Sequence, residues 1–184
     1  NEELLLFYQS GLDKSPDDQI LTNAKDLSGS AVLFISRPSG ENMDLSTGRG
    51  EYVLTEDEEC LLRKLSSEFE RLILVLNTGY PIDVSWIERY RVDAVLYPGY
   101  AGMLAGKALL DVFSGEVNPS AKLPDTWALH YQDLPASKNF YNCADQPRLD
   151  AECPLYLDTV YEEDLYVGYR YFETFGEKPA FPFG

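Results

Sequence analysis

The sequence has few basic residues, a single histidine and three cysteines. It contains 15 Lys and Arg against 31 Asp and Glu, which gives a formal net charge of -16. Because phosphate backbones are bound by clusters of Lys and Arg, this balance argues against a nucleic-acid partner. The odd number of cysteines, without zinc-type pairing, indicates neither a disulfide framework nor a metal site. One histidine, His130, excludes a multi-histidine metal centre.

Long hydrophobic runs are also missing. The longest apolar runs, such as residues 72–76, have the length of a strand, whereas a membrane-crossing helix needs about 20 apolar residues. We therefore expect a soluble protein with no membrane partner. The 184 residues are 45% hydrophobic and 25% charged, which is typical of one globular domain. These features leave the cellular compartment open.

The sequence does contain an alternation of strand and helix patterns. A continuous apolar run at residues 31–36 is typical of a strand covered on both faces, and Thr55-x-x-Glu58 is a capping box that begins a helix. The alternation predicts an α/β fold, a mostly parallel sheet sandwiched between helices. Further strands are predicted at residues 4–8, 72–76 and 93–97, and helices at 16–27, 55–69, 84–89 and 103–113.

The chain changes character after Gly115. About fifty residues rich in Pro, Asn, Asp and Tyr show little periodicity, and so long an irregular stretch is usually functional or packed on another domain. Residues 166–172 at its end have the aromatic content of a strand. We therefore predict an irregular, aromatic-rich C-terminal segment.

One acidic residue, Glu41, follows the first of these buried strands. Strand C-termini of an open parallel sheet face the ligand crevice, and loops leave such ends at Arg37, Asn77 and Pro98. Gly40 permits a sharp turn, and a carboxyl held there against a partly apolar wall would have a raised pKa and donate a proton. Position alone, however, favours a solvated surface acid.

Other candidate sites carry a weaker signal. Gly48-Arg49-Gly50 has part of the glycine pattern of a phosphate loop, but no strand directly precedes it. His130 is interpreted as a packed or surface histidine. Asp125 and the acids at 162–164 neighbour aromatic residues, a pattern that suits sugar binding but more often reflects caps and turns.

Five segments, in order, resemble the C-terminal α/β sandwich domain of glycoside hydrolase family 3, of the β-glucosidase type. Arg37-Pro-Ser-Gly-Glu41 with Asp44 is similar to the family's Arg-x-Ser-Gly-Glu-Gly-x-Asp loop. The segment Leu-Asn-Thr-Gly-Tyr-Pro-Ile-Asp at 76–83, with Trp86, is similar to the family's Leu-Asn-x-Gly-x-Pro-Ile. Later blocks match at residues 99–106, 115–126 and 160–172.

This resemblance implies a function and a set of site residues. It implies a retaining, exo-acting β-glycosidase of the β-glucosidase type, whose Asp nucleophile lies on an N-terminal barrel domain that residues 1–184 do not include. Glu41 would be the general acid/base, and Arg37, Ser39 and Asn42 would bind substrate. The implied partners are a β-linked glucoside or related oligosaccharide and that barrel domain, with a homo-oligomer possible; no metal or organic cofactor is implied.

Two departures from the family pattern keep other interpretations open. Asn42 stands where the family has glycine, and Met103-Leu104 where it has a Gln-Glu pair. The alternative is a non-catalytic module of the same fold, used for carbohydrate binding or domain packing. A flavodoxin-like nucleotide binder is a weaker alternative, since a complete phosphate loop is missing and the charge is acidic.

Overall fold

The computed structural model describes residues 18–38, 45–138 and 161–184. The predicted strand at 4–8 lies outside these ranges. None of the helices within them has the length and apolar character needed to cross a bilayer. The elements are α1 (Asp18–Leu27), β1 (Ser30–Ser36), α2 (Glu56–Glu68), β2 (Arg71–Asn77), β3 (Ala94–Leu96), α3 (Ala105–Phe113) and α4 (Tyr169–Phe175). Short 3-10 turns occupy Ser85–Glu88, Gly102–Leu104, Tyr131–Asp133 and Pro135–Lys138.

The three strands form a parallel sheet in the order β1-β2-β3. Leu33 of β1 lies beside Leu74 of β2, which in turn lies beside Val95 of β3. Parallel neighbours need a crossover connection, and α2 is the helix that joins β1 to β2. The predicted α/β class and the parallel sheet are confirmed.

One face of the sheet carries the hydrophobic core. Because paired residues of neighbouring strands point to the same side, Leu33, Leu74 and their strand neighbours two residues away form one apolar surface. This surface packs against Leu62 and Leu65 of α2, which are buried. The other fully or nearly fully buried members of this core include Ile35, Leu72, Leu76, Ile82, Val84, Trp86 and Trp127.

The opposite face of the sheet is covered unevenly. Val75, at the centre of β2, is fully buried. Val32 and Phe34 of β1 point to the same side, because they pair with Ile73 and Val75, and they are 39% and 48% exposed. The cover on both faces expected for the strand at 31–36 is therefore wrong for β1, whose face with Val32 and Phe34 is largely accessible.

The capping box at the start of α2 is confirmed. Thr55 has extended backbone, its side-chain oxygen accepts a hydrogen bond from the Glu58 amide, and the Glu58 carboxylate accepts one from the Thr55 amide at 2.8 Å. Two amides that a helix end leaves without partners are thereby satisfied. The helix ends when Phe69 returns to an extended conformation and enters the core.

The strand predicted at residues 166–172 is wrong, because α4 occupies Tyr169–Phe175. Gly168 precedes the helix with φ +53°, and Gly176 ends it with φ +70° in the left-handed region that favours glycine. Tyr171 and Phe175, four residues apart, pack their rings at 5.2 Å, as residues on one helical face do. Two glycines therefore outweigh the strand propensity of the aromatic residues between them.

The C-terminal segment is tied to the core through Trp127. The Trp127 amide donates to the Phe181 carbonyl at 2.9 Å, and the Ala180 amide donates to the Trp127 carbonyl at 2.8 Å. The indole lies edge-to-face against Tyr97 and Phe181, with ring centroids 5.2 and 6.3 Å apart. A short antiparallel bridge and one buried aromatic side chain thus join the irregular region to the sheet.

We expect Thr55→Ala to lower the free energy of unfolding by about 1 kcal/mol, because the first turn of α2 loses the oxygen that caps it. Urea denaturation followed by circular dichroism measures this change. Thr55→Ser, which keeps the capping oxygen, is the matched control and should stay close to wild type. Equal stability of the Thr55→Ala and wild-type proteins would contradict the prediction.

Candidate functional site

The structure brings together the three loops that leave the C-terminal ends of the strands, as the sequence predicts. The Arg37 amide extends the β1–β2 ladder by donating to the Asn77 carbonyl at 3.2 Å. From beyond β3, the Tyr100 hydroxyl donates to the Arg37 carbonyl at 2.7 Å. From beyond β2, the Tyr80 hydroxyl is 3.4 Å from the Pro38 carbonyl. The loop that begins after Pro38 therefore starts from a backbone held by both of its neighbours.

Arg37 is buried in an ion pair with Glu58. Its guanidinium makes two parallel hydrogen bonds to the Glu58 carboxylate, each 2.7 Å long, and its side chain is 3% exposed. The same guanidinium donates to the backbone carbonyls of Glu51 at 2.9 Å and Ser36 at 2.8 Å. These four bonds occupy all but one of the five N–H groups of arginine, so the side chain anchors the end of β1 to α2.

Glu58 belongs to both the ion pair and the helix cap. One carboxylate oxygen accepts from Arg37 alone, and the other accepts from Arg37 and from the Thr55 amide. Both oxygens of this buried carboxylate are therefore satisfied, which is the condition under which burying a charge pair is tolerated. The N-terminus of α2 and the end of β1 are thereby fixed to each other.

The remaining predicted site residues lie outside the described ranges. The general acid/base role of Glu41, and the substrate-binding roles of Ser39 and Asn42, therefore stay predictions. The same holds for substrate binding by Arg37, whose side chain is engaged in the anchoring contacts given above. The structure thus defines the root of the predicted catalytic loop.

Two tyrosines at this root were not singled out from the sequence. The Tyr100 ring lies across Gly79, where an added Cβ would be 2.4 Å from the ring carbon Cε2, so only glycine leaves room for it. Burial raises the pKa of Tyr80. The sequence could have pointed to these tyrosines in one way. Each lies within four residues of a strand end, in one of the loops predicted to face the crevice.

Two of the weaker candidate sites lie in or beside turns. In the glycine pair at 48–50, the Gly50 amide donates to Val53 at 2.7 Å and the Val53 amide donates to Gly48 at 3.0 Å, so the segment is a closed turn. His130 is exposed and precedes a 3-10 turn. Across the three described ranges, no group of three or more His, Cys, Asp or Glu is placed to hold a metal ion.

We expect Arg37→Met to lower the free energy of unfolding by about 3 kcal/mol, because it leaves the Glu58 carboxylate buried without its partner. Arg37→Met/Glu58→Gln, which removes both charges, should recover part of the loss. Arg49→Met is the control, since Arg49 is 52% exposed and its 3.3 Å ion pair with Glu59 should contribute under about 1 kcal/mol. Urea denaturation of the four proteins checks the order; similar losses for Arg37→Met and Arg49→Met would refute it.

The profile of the Glycosyl hydrolase family 3 C-terminal domain matches residues 14–169. The chain is 39% identical over 169 residues to a beta-glucosidase of Ruminococcus albus, covering 91% of this chain and 16% of that protein. It is 34% identical over 158 residues to a beta-glucosidase of Schizophyllum commune, covering 83% of this chain and 77% of that protein.

Solved structures agree with these relatives. The crystal structure of a beta-glucosidase from Paenibacillus barengoltzii superposes with a TM-score of 0.79 at 38% identity, covering 92% of this chain and 18% of that one. Beta-glucosidase 3B from Thermotoga neapolitana, in complex with glucose, gives a TM-score of 0.77 at 35% identity, covering 91% and 22%. The chain thus spans about a fifth of the length of these solved proteins. With a family profile that matches most of its length, this chain belongs to the Glycosyl hydrolase family 3 C-terminal domain family.

Proposed function

We propose that this chain is the acid/base-contributing domain of a retaining, exo-acting β-glucosidase, with Glu41 as the general acid/base. The observation that carries the proposal is the family membership, together with a loop root fixed at the C-terminal edge of a parallel sheet. That edge is where open α/β sheets bind their ligands. The relatives named above are beta-glucosidases, and one was solved with glucose, which supports a terminal β-linked glucoside as substrate.

In this mechanism Glu41 acts twice. As the protonated acid it donates to the glycosidic oxygen while a carboxylate nucleophile attacks the anomeric carbon, so the leaving group departs as a neutral alcohol. As the carboxylate it then takes a proton from the water that releases the glycosyl-enzyme intermediate. Retention requires the two carboxyl groups to lie about 5 to 5.5 Å apart. The nucleophile, an Asp by the resemblance, would come from a barrel domain outside residues 1–184.

The described part of the chain is consistent with an acid/base on this domain and a nucleophile on another. A general acid that serves a reaction centre on another domain needs a rigid support that holds it close to the productive geometry. Here the support is the β1–β2 ladder, the buried Arg37–Glu58 pair and the start of α2. The acidic net charge of -16 is compatible with an uncharged sugar substrate, which needs no basic surface.

We expect Glu41→Ala, in the complete enzyme with its barrel domain, to lower kcat/KM for cellobiose by about 100-fold or more, because an alkoxide leaving group needs the proton. Hydrolysis of 2,4-dinitrophenyl β-glucoside, whose leaving group needs no proton, should retain most of its kcat/KM. Azide should raise the turnover of the variant on this substrate, because azide attacks the glycosyl-enzyme without a base and forms a glucosyl azide.

The matched control is Glu56→Gln, which changes an exposed acid in the first turn of α2 and should leave both substrates unaffected. Steady-state kinetics and chromatography of the azide product are the measurements. Full activity of Glu41→Ala on both substrates, or an equal loss on both without azide rescue, would show that Glu41 is not the acid/base.

One observation favours the second candidate, a non-catalytic module for sugar binding or domain packing. Met103 and Leu104, which stand where the resemblance places a polar pair, are strongly exposed and lie next to α3. Exposed apolar side chains of this size commonly mark packing surfaces. If this candidate is correct, Glu41→Ala will retain wild-type hydrolysis of cellobiose, and any sugar binding will be measured by calorimetry with glucose and cellobiose.

A further inference from the structure

We propose that Tyr100, seated on Gly79, is a positioning residue for the acid/base Glu41, and that Tyr80 assists it. The inference rests on the proposed function, because it assigns these tyrosines to the step in which Glu41 donates its proton. Neither hydroxyl has to reach the substrate. Each holds a backbone carbonyl of the two residues, Arg37 and Pro38, that precede the catalytic loop.

The Tyr100 contact is the stronger of the two. Its hydroxyl donates to the Arg37 carbonyl at 2.7 Å, the usual length of a good O–H···O hydrogen bond, across 63 residues of sequence. The tyrosine follows β3, whereas Arg37 follows β1, and these strands lie on opposite sides of β2. The bond therefore spans the width of the sheet at its C-terminal edge and ties the loop root to a second, independent part of the fold.

The absence of a side chain at Gly79 leaves room for the Tyr100 ring to reach Arg37. The tyrosine ring lies so close to the chain after β2 that a Cβ on residue 79 would come within 2.4 Å of Cε2 and 3.1 Å of both Cδ2 and Cζ. Contacts under 3.0 Å are not tolerated by real side chains, so any larger residue must displace the ring. Gly79 has no need of a left-handed backbone here; its role is to leave space for Tyr100.

Tyr80 contributes a second and weaker contact. Its hydroxyl is 3.4 Å from the Pro38 carbonyl, which is longer than a usual O–H···O hydrogen bond. Desolvation by burial, followed by the neighbouring Tyr100 hydroxyl, raises the pKa of Tyr80. A tyrosine hydroxyl is protonated at neutral pH in any case, so it is a donor there. Thr78 steadies the same turn by donating to the Tyr80 carbonyl at 2.7 Å.

These contacts fix different parts of the loop root. The Arg37 side chain is anchored to α2 through Glu58, whereas the tyrosines hold the carbonyls, which set the direction in which the chain leaves. Glu41 is only three residues beyond Pro38, and three residues span at most about 10 Å. The direction of the chain at the root therefore limits where the acid can lie, and a misplacement of about 1 Å can cost up to 100-fold in rate.

The test is leaving-group dependence in the complete enzyme. We expect Tyr100→Phe, which removes only the hydroxyl, to lower kcat/KM for cellobiose by about tenfold and for 2,4-dinitrophenyl β-glucoside by no more than about twofold. Tyr80→Phe should show the same pattern with a smaller loss. Tyr90→Phe is the matched control, because its hydroxyl bonds to Glu59 at 3.2 Å, away from the loop root, and both substrates should be unaffected.

Gly79→Ala provides a second route to the same contact without touching a hydroxyl. It should reproduce the selective loss on cellobiose, because the methyl group displaces the Tyr100 ring. In a Tyr100→Ala background the ring is gone, so Gly79→Ala should then add little. This double-mutant cycle separates displacement of Tyr100 from a general effect of alanine at position 79.

The outcomes distinguish this inference from the proposed function. If Glu41→Ala shows the selective loss on cellobiose while Tyr100→Phe and Gly79→Ala match wild type, the positioning role is refuted and the acid/base assignment stands. Equal losses on both substrates, with a lowered melting temperature, refute positioning in favour of a purely structural role. If Glu41→Ala shows no selective loss, the proposed function fails and the inference with it.

Discussion

The buried ion pair between Arg37 and Glu58 is the contact on which the candidate site depends. It joins the residue that follows β1 to the first turn of α2, two elements that also pack together in the hydrophobic core. Burying two charges is costly unless both are paired and fully hydrogen-bonded. Here the guanidinium makes four hydrogen bonds and both carboxylate oxygens are occupied. The pair thus adds a directional constraint that apolar packing at the same place would lack.

Local patterns were sufficient to predict most of the elements but could not predict this pair. Strands and the helix α2 follow from apolar periodicity and from the Thr55 cap, which are properties of neighbouring residues. Glu58, in contrast, is one of four consecutive acids at 56–59, and the sequence does not show which of them faces a partner 21 residues away. That choice is made by how α2 lies on the sheet. The strand predicted at residues 166–172 was wrong for a related reason, because the glycine conformations at the two ends of α4 decide between helix and strand.

In the candidate site, too, local sequence patterns predict the loop but not the long-range contacts that hold it. The acid/base loop was predicted from a short motif after a strand, but Tyr80 and Tyr100 become relevant only through the strand order β1-β2-β3, which places both of their loops at one edge. The space above Gly79 cannot be inferred from the residue itself, because glycines at strand ends usually reflect turn geometry. Contacts across 42 and 63 residues are properties of the assembled sheet.

The kind of contact at the loop root matters as much as its strength. If Glu41 is the general acid proposed above, its pKa should lie near the working pH, and an unpaired guanidinium close to it would stabilise the carboxylate and lower that pKa. Pairing with Glu58 cancels the charge of Arg37, and the tyrosines add only neutral hydroxyls directed at backbone carbonyls. The root can therefore hold the direction of the chain without making the acid stronger. Under the function proposed above, the groups that position the carboxyl are thus separate from any group that tunes its pKa.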